Sequence, residues 1–386
     1  MYDTIIIGAG PAGLMAGITS KKNNLILEKN KSAGKKLLIT GGGRCNITNN
    51  KSNKEFLDNI DNNKKFLYST INNFGPKDII YFFEKNNVLL KEENDNKVFP
   101  LSNKSFSILE VLLNNCKAKI NYNEEVKSIT REDNFFIVKS NKESYKSKKI
   151  LIATGGSSFS NTGSNGDNMK FAKTLNQPVI NIYPAELGIN LKEKLNLSGT
   201  SVKNVSVKVN KIVKSGNLIF THSGFGGESI MNISEYIYKD NLSEIEIDFL
   251  PELTIENLTQ EILNYSRDKE FHSFIEQYFS KKLTNYFLDL FGIKREIKIK
   301  QMSKKDIEKF LNIKNIKYDI KNKNNIELAY VTGGGIDMKY INSRTMESTK
   351  IKNLFFAGEA LDIHGPVGGY NLTLALSTGY TAGLNL

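Results

Sequence analysis

The sequence predicts an α/β protein whose two ends build one parallel-sheet domain around an inserted middle of different composition. Three observations predict it. An apolar, β-branched run at 4–7 is followed by Gly8, Gly10 and Gly13 in G-x-G-x-x-G spacing, by a short helical stretch at 14–20, and by a second apolar run at 25–27 that ends on Glu28. Two later apolar runs, 149–153 and 354–357, feed further glycine turns and return the chain to the same sheet. From about residue 183 the pattern changes to alternating strands and then to polar helices, before the sheet-type runs resume.

Each part of the first segment has a physical job. Gly8 permits the tight turn off the strand, Gly10 has no Cβ and lets a pyrophosphate approach the backbone, and Gly13 lets helix and strand pack closely. The free N–H groups at the start of the helix that Pro11 and Ala12 open, Pro11 itself having none, and the helix dipole favour phosphate. Glu28, with Lys29 beside it, stands where a carboxylate accepts from both ribose hydroxyls of an adenosine.

The loop KNKSAGKKLLITGGGRCNITN comes next. It carries Lys36, a brief apolar piece at 37–40, and a triple glycine followed by Arg44, Cys45 and Asn46. Three successive glycines open backbone conformations closed to other residues, as a chain lying flat against a planar ligand requires. Residues 50–120 read as polar helices with apolar faces (56–60, 66–74, 76–86, 105–116) and a small hairpin at 88–90 and 98–100. Strands follow at 120–122, 126–130 (starting on Val126), 135–139 and 149–153. The last runs into Thr154, Gly155 and Gly156, then SSFSNTGSNGD and a helix at 168–175. The insert shows strands at 202–209, 218–220 and 244–250, a glycine-rich bend at 221–227, helices at 254–263, 271–278 and 281–291, a basic patch at 294–305 and a short helix at 303–311. A strand at 326–332 leads into Gly333–Gly335, and the final strand runs into GEALDIHGPVGGYNLTLALSTGYTAG. That segment places Gly358, Glu359 and Asp362 at a strand end. Gly369, Tyr370, Asn371 and Leu372 open the last helix, a second helix start able to face an anionic ring edge.

Composition narrows the function. Two cysteines with no C-x-x-C exclude a disulfide scaffold and a cysteine zinc site, and three scattered histidines predict no metal. No apolar run approaches the ~18 residues of a membrane span, and nothing reads as a signal peptide, so a soluble, cytoplasmic protein is expected. The net charge of +12 admits two readings: a nucleic-acid partner, or A+T-rich coding drift that fills the chain with Lys, Asn and Ile. Only five of the 53 basic residues are Arg, and two of them, Arg44 and Arg344, lie in the sharpest motifs, where a planar bidentate donor is expected.

GAGPAGLMAG, KKLLITGGGRCNITN, ATGGSSFSNTGSNGD, FTHSGFGG, VTGGG with SRTMES, and FFAGEALDIHGPVGGYNLTLALSTGYTAG occur in that order. Together they resemble the BaiN-like, YhiN-type FAD-binding flavoprotein family, often described as NAD(P)/FAD-dependent oxidoreductases or aminoacetone oxidases. The resemblance spans essentially the whole chain. It implies a glutathione-reductase-like FAD-binding Rossmann domain (1–185 and 332–386), an inserted β-barrel-like domain (186–251 and 316–331) and a helical domain (252–315). It also implies non-covalent FAD held by the residues named above: Gly8 to Gly13 and Glu28 at the adenosine and pyrophosphate, Lys36, Arg44, Cys45 and Asn46 beside the flavin, Thr154 and Gly155 at the ATGG approach, and Gly358, Asp362 and Gly369 to Asn371 at the ribityl and ring end. The chain departs from the family pattern at Gly227-Glu228, where Gly-Pro is usual, and at His364, where an acid is usual.

With one nucleotide fingerprint only, NAD(P)H is expected to bind transiently as electron donor. Some members resembled are small-molecule C=C reductases and others are 23S rRNA dihydrouridine synthases, and the charge of +12 with the basic helical segment favours the reduction of uridine to dihydrouridine in 23S rRNA. Both imply hydride transfer from flavin with a proton from a nearby acid. Cys45, His222 and His364 are the candidate acids, and Lys294, Arg295, Lys298 and Lys300 the candidate RNA contacts. The alternatives are an enone reductase or amine oxidase acting on small molecules, and a flavin-binding RNA-binding or redox-sensing protein without turnover.

Overall fold

The computed structural model describes residues 1–321 and 325–386. It divides into two units, Met1–Pro184 with Asn325–Leu386, and Ala185–Asn324. Residues 325–331 therefore fold with the first unit, and 322–324, expected in the inserted sheet region, lie outside the described residues.

In the first unit, the strands Lys119–Asn121, Asn24–Leu27, Tyr2–Ile7 and Ser144–Ile152 lie side by side in that order, all parallel. Ile5, Ile6, Leu25, Ile26 and Ile150 are wholly buried, as strands covered on both faces require. The strand Ser144–Ile152 does two jobs. Its second half pairs in parallel with Leu354–Phe356, whereas its first half pairs antiparallel with Phe135–Ser140, which in turn pairs with Val126–Glu132. The sequence expectation began this strand at 149. Its polar start, SYKSK, alternates toward solvent and carries no apolar run, so only the pairing reveals it.

The two ends of the chain are joined by direct helix packing. The first helix, Pro11–Thr19, lies against the last, Tyr370–Asn385. A Cβ on Gly379 would sit 2.3 Å from the carbonyl oxygen of Ala12, so only glycine permits this approach. Helices Asn53–Asp58, Lys64–Asn73, Pro76–Lys85 and Ser105–Asn115 share one buried core with the sheet, Lys64–Asn73 and Pro76–Lys85 packing on the last helix and Ser105–Asn115 on the first, and Lys35–Ile39, expected only as an apolar piece, is a short helix. The expected hairpin is Leu90–Glu93 with Lys97–Pro100, and Thr48–Asn49 adds a third strand.

One expectation is corrected at the second crossing between units in sequence. The strand predicted at 326–332 is a 3-10 turn, Ile326–Leu328, followed by a strand over Val331–Ile336 that contains the three glycines. This strand pairs with Val179–Ala185. The ring of Tyr183 occupies the space where a Cβ on Gly333 would lie, at 2.1 Å. The glycines therefore serve strand contact here rather than a turn after a strand.

The second unit is a six-stranded antiparallel sheet ordered Ile189–Asn190, Gly224–Gly226, Ile212–Phe220, Ser201–Val209, Glu244–Asp248 and Ile316–Asp319. An antiparallel bridge from Leu191 to Ile320 joins the first strand to the last and closes the sheet into a barrel. The helices Ile255–Asn264, Phe271–Ile275, Lys281–Phe291 and Lys304–Leu311 are inserted between two neighbouring barrel strands. They share one core with the barrel, in which Phe249, Phe271, Phe274, Phe287 and Phe310 are fully buried. The expected bend at 221–227 contains a strand, Gly224–Gly226, and is followed by a helix, Glu228–Lys239, that the sequence reading did not foresee. Its signal was present in the apolar spacing Ile230, Ile233 and Ile237, all buried.

Candidate functional site

The three motif glycines separate by what faces them. A Cβ on Gly13 would lie 2.0 Å from the carbonyl oxygen of Gly8, and one on Gly8, whose φ is +101°, would lie 2.5 Å from that of Ala153. Both positions are glycine for the fold. Gly10 has nothing within 4 Å and an ordinary extended backbone, so the fold makes no demand for glycine there. The space opposite Gly10, at the start of the helix Pro11–Thr19, is where a phosphate would meet N–H groups without helical partners.

Glu28 is buried at the end of its strand, with one carboxylate oxygen accepting from the Ala9 N–H at 2.9 Å. The other oxygen accepts from the Asn30 N–H at 2.8 Å and from Asn30 Nδ2 at 2.7 Å. A carboxylate offers about four acceptor positions. Room remains for about one further donor, so both hydroxyls of a ribose fit only if Ala9 or Asn30 gives way. The Glu124 N–H donates to the Glu28 carbonyl at 2.9 Å, which sets the segment entering Val126 beside the acid. Lys29 is held by Asp167 and Asn165, at 2.7 Å each.

Thr154 begins the second approach. Its Cα lies 3.2 Å from the position a Gly8 Cβ would take, and its Oγ1 is buried without a hydrogen-bond partner among the described residues. Lys36, expected beside the flavin, and Glu359, expected at a strand end, pair with each other. Lys36 Nζ donates to both Glu359 carboxylate oxygens at 2.8 and 2.9 Å and to Ser158 Oγ at 2.7 Å. Glu359 also accepts from the Thr332 N–H at 2.8 Å, and Thr332 Oγ1 accepts from the N–H groups of Ser157 and Ser158. This clasp ties the helix Lys35–Ile39, the loop at Ser157–Ser158, the strand Val331–Ile336 and the turn at Glu359 together beside Gly156. Ser158 and Thr332 were not singled out by sequence reasoning, because only the fold brings them to Glu359.

The triple glycine takes left-handed backbone at all three residues, and Gly42 has open space opposite. Cys45 is also left-handed and is wholly buried; burial pushes its thiol up to about 12, although the Thr40 side chain hydrogen-bonds to it. Arg44 does not tune that thiol. Its guanidinium donates to Glu93 at 2.9 and 3.1 Å and stacks 4.3 Å from the Phe99 ring centroid. Hydrogen bonds from Lys91 and then Arg44 hold the Glu93 carboxyl below its usual range.

At the C-terminal turn, the Gly358 N–H donates to Thr378 Oγ1 at 2.9 Å. Asp362 accepts from the Gly334 N–H at 3.0 Å and from the amides of Asn62 and Asn63. His364 is buried, with the Tyr183 ring edge-on at 6.2 Å. Asn371 clamps Gly365 through both its amide oxygen and nitrogen, at 2.9 and 2.8 Å. The Tyr370 ring stacks on Phe56 at 4.6 Å and its hydroxyl accepts from Lys51. Leu372 packs against the core, so Tyr370 and Leu372 offer a ligand mainly backbone.

These residues fit a bound dinucleotide. The open face of Gly10, the partnerless Thr154 hydroxyl and the open Gly42 all lie in the first unit. No group of three or more His, Cys, Asp or Glu able to hold a metal occurs among the described residues. No helix among them is long and apolar enough to cross a membrane. His222 is exposed at a hairpin turn of the second unit. Of the candidate RNA contacts, also in that unit, Arg295 is paired with Asp289 at 2.9 Å and Lys300 with Asp268 at 2.5 Å. The stretch 185–324 holds 22 Lys and Arg against 19 Asp and Glu, so the charge excess does not concentrate in the insert.

The chain is 28% identical over 401 residues to the ribosomal RNA dihydrouridine synthase of Escherichia coli, covering all of this chain and 98% of that one. It is 26% identical over 402 residues to the 3-dehydro-bile acid delta(4,6)-reductase of Clostridium scindens, covering 98% and 97%. Among solved structures, the 3-ketosteroid delta1-dehydrogenase of Sterolibacterium denitrificans matches with a TM-score of 0.53 at 11% identity, over 99% of this chain and 98% of that one, which shows a common fold. The family model for the HI0933-like protein Rossmann domain matches residues 2–385, and the chain belongs to that family.

Proposed function

We propose that this chain, an FAD-dependent oxidoreductase of its family, reduces the C5=C6 bond of a uridine in 23S rRNA, with NAD(P)H as the transient electron donor. The observation that carries the reading is the end-to-end match to a ribosomal RNA dihydrouridine synthase, which leaves neither chain with an unmatched domain. Atoms balance as uridine plus NAD(P)H and one proton giving dihydrouridine and NAD(P)⁺.

Bound and reduced FAD supplies the hydride in such a reaction. The chain's own residues do the rest. The helix start at Gly10 and Pro11 binds the pyrophosphate, and Glu28 with Asn30 orients the adenosine end. The Lys36–Glu359 clasp, through Ser158 and Thr332, fixes the segment that follows Gly155 and Gly156. A proton must reach the carbon next to the one that takes hydride. A general acid works best with its pKa near the working pH. A buried thiol at about 12 matches poorly, whereas imidazole is the side chain whose ordinary range lies there. His364, buried with the Tyr183 ring edge-on at 6.2 Å, therefore takes the donor role in this reading, ahead of Cys45.

The test is mass spectrometry of 23S rRNA from a strain lacking the gene and from the same strain complemented with wild type or His364→Ala. Loss of dihydrouridine that only wild type restores is expected. Unchanged dihydrouridine in the deletion strain refutes the reading. A second reading, reduction of a small-molecule enone, rests on the equally full-length match to the bile acid delta(4,6)-reductase.

A further inference from the structure

Seventeen described residues other than glycine have positive φ, and most are Asn or Asp, whose short polar side chains enter that region readily. Four are neither. Cys45, Glu186 and Met346 are buried, so packing holds them in place. Phe159 is the fourth, at φ 55° and ψ 55°, and its ring is only half-buried. A bulky aromatic in the left-handed region is an outlier, and an outlier that packing does not require points to function.

The backbone around Phe159 is pinned on both sides. Before it, fully buried Ser158 donates its N–H to Thr332 Oγ1 at 3.0 Å and its hydroxyl to Glu359 at 3.2 Å, and accepts from Lys36 at 2.7 Å. After it, Thr162 donates both its N–H and its hydroxyl to the Phe159 carbonyl, at 2.8 Å each. Asn or Gly would satisfy that backbone with less strain. The ring meets the edge of Tyr330, with centroids 5.9 Å apart and planes at 67°, and Lys36 Nζ at 5.8 Å. Tyr330 is 56% exposed, and neither ring belongs to the buried core. The site's buried clasp thus holds out an aromatic pair toward solvent.

We propose that Phe159 and Tyr330 are a stacking seat for the planar base of a single-stranded RNA nucleotide, an inference that rests on the RNA reading above. RNA is recognised chiefly through unpaired bases stacked on aromatic side chains, and two rings set edge to face offer one such surface. Base–aromatic stacking of about 1–3 kcal/mol corresponds to roughly 5- to 150-fold in affinity.

The test uses oxidised, FAD-loaded full-length protein and a short fluorescein-labelled oligouridylate, read by anisotropy. Phe159→Asn keeps a residue at ease in the left-handed region and removes the ring. It is expected to lose roughly ten- to hundredfold in affinity, to keep its flavin, and to melt at or above the wild-type temperature. Tyr330→Ala is expected to lose affinity as well, and Phe159→Tyr to retain it. Binding by Phe159→Asn within about twofold of wild type overturns the seat, as does a loss of affinity that tracks a lowered melting temperature. If Phe159→Asn binds the oligonucleotide normally but slows flavin reduction by NAD(P)H, the seat belongs to nicotinamide and the RNA assignment fails. A wild-type holoprotein that binds no oligonucleotide overturns the RNA reading itself, and the seat with it.

Discussion

Alanine at Gly10 and at Gly13 should have opposite consequences, although the two residues sit three apart in one motif. At Gly13 the new methyl would lie 2.0 Å from the Gly8 carbonyl oxygen, a backbone atom that cannot swing aside. Overpacking of this kind costs about 1–3 kcal/mol, with rigid backbone at the upper end, and the gain in helix propensity returns about 1 kcal/mol. A net loss of about 2 kcal/mol corresponds to roughly 4–8 °C in melting temperature for a domain of this size. At Gly10 the methyl meets nothing within 4 Å, and φ is −80°. The preference for Gly over Ala at an N-cap and the reduced freedom of the unfolded chain offset each other within about 1 kcal/mol. The Gly10→Ala apoprotein should therefore melt within about 3 °C of wild type. The same methyl occupies the space of the pyrophosphate, and a penalty of about 2–3 kcal/mol weakens FAD roughly 30- to 150-fold. Calorimetry of the apoproteins and titration with FAD, followed by flavin fluorescence, give both quantities. The reasoning is refuted if Gly10→Ala melts as low as Gly13→Ala, or binds FAD as tightly as wild type.

Further outcomes follow from the same geometry. Cys45→Ala should keep bound FAD and the single-turnover rate of flavin oxidation by substrate within about threefold; a loss of one to three orders, in the range of general-acid contributions of ~10²–10⁴, would restore Cys45 as donor. Because burial raises the Cys45 thiol from the ordinary 9.0 to about 12, the native state holds its proton longer than the unfolded state does. Its contribution to stability is complete below pH 9 and is lost as pH rises toward 12, so Cys45→Ala should flatten alkaline unfolding curves over that window. Glu359→Gln should cost about 1.5–3 kcal/mol, since the mostly buried Lys36 loses a charged partner. A double-mutant cycle with Lys36→Met that gives coupling below about 0.5 kcal/mol would show the clasp to be idle. Alanine at Lys294, Arg295, Lys298 and Lys300 together should lower the log–log salt slope of RNA binding by at most about 1.4–1.8, two phosphates' worth. Arg295 and Lys300 are already paired with Asp289 and Asp268, and a drop near 3 would mean those pairs open on RNA.

Much of the fold was legible because its signals are local. The G-x-G-x-x-G turn, the apolar runs at 4–7 and 25–27, and the helices with one apolar face all appear within a few residues of their predicted bounds. What stayed illegible depends on partners far along the chain. The strand residues 144–148 are polar because one face meets solvent, and only Phe135–Ser140 makes them a strand. Gly379 and Gly383 read as an ordinary helix end. Only the first helix, whose Ala12 and Ala16 carbonyls lie 2.3 and 2.6 Å from the positions of their absent Cβ atoms, explains them.

The site was legible as an inventory of donors and acceptors and not as a set of commitments. The glycine-rich motifs and the family resemblance they carry placed Lys36, Arg44, Glu359 and Asn371 near a ligand, yet each is engaged by the protein itself: Lys36 by a carboxylate 323 positions away, Arg44 by Glu93, and Asn371 by the Gly365 backbone. No local pattern announces such pairings, because they form only when the sheet brings separate loops to one edge. The consequence is chemical. A side chain already paired within the protein can orient loops, but it must break that pair to bind. Among the described residues of the site, the open backbone at Gly10 and Gly42 and the hydroxyl of Thr154, which has no hydrogen-bond partner there, can meet a ligand without such a cost. Variants at the charged residues should therefore act mainly through loop order and stability, and variants at the open glycines mainly through affinity.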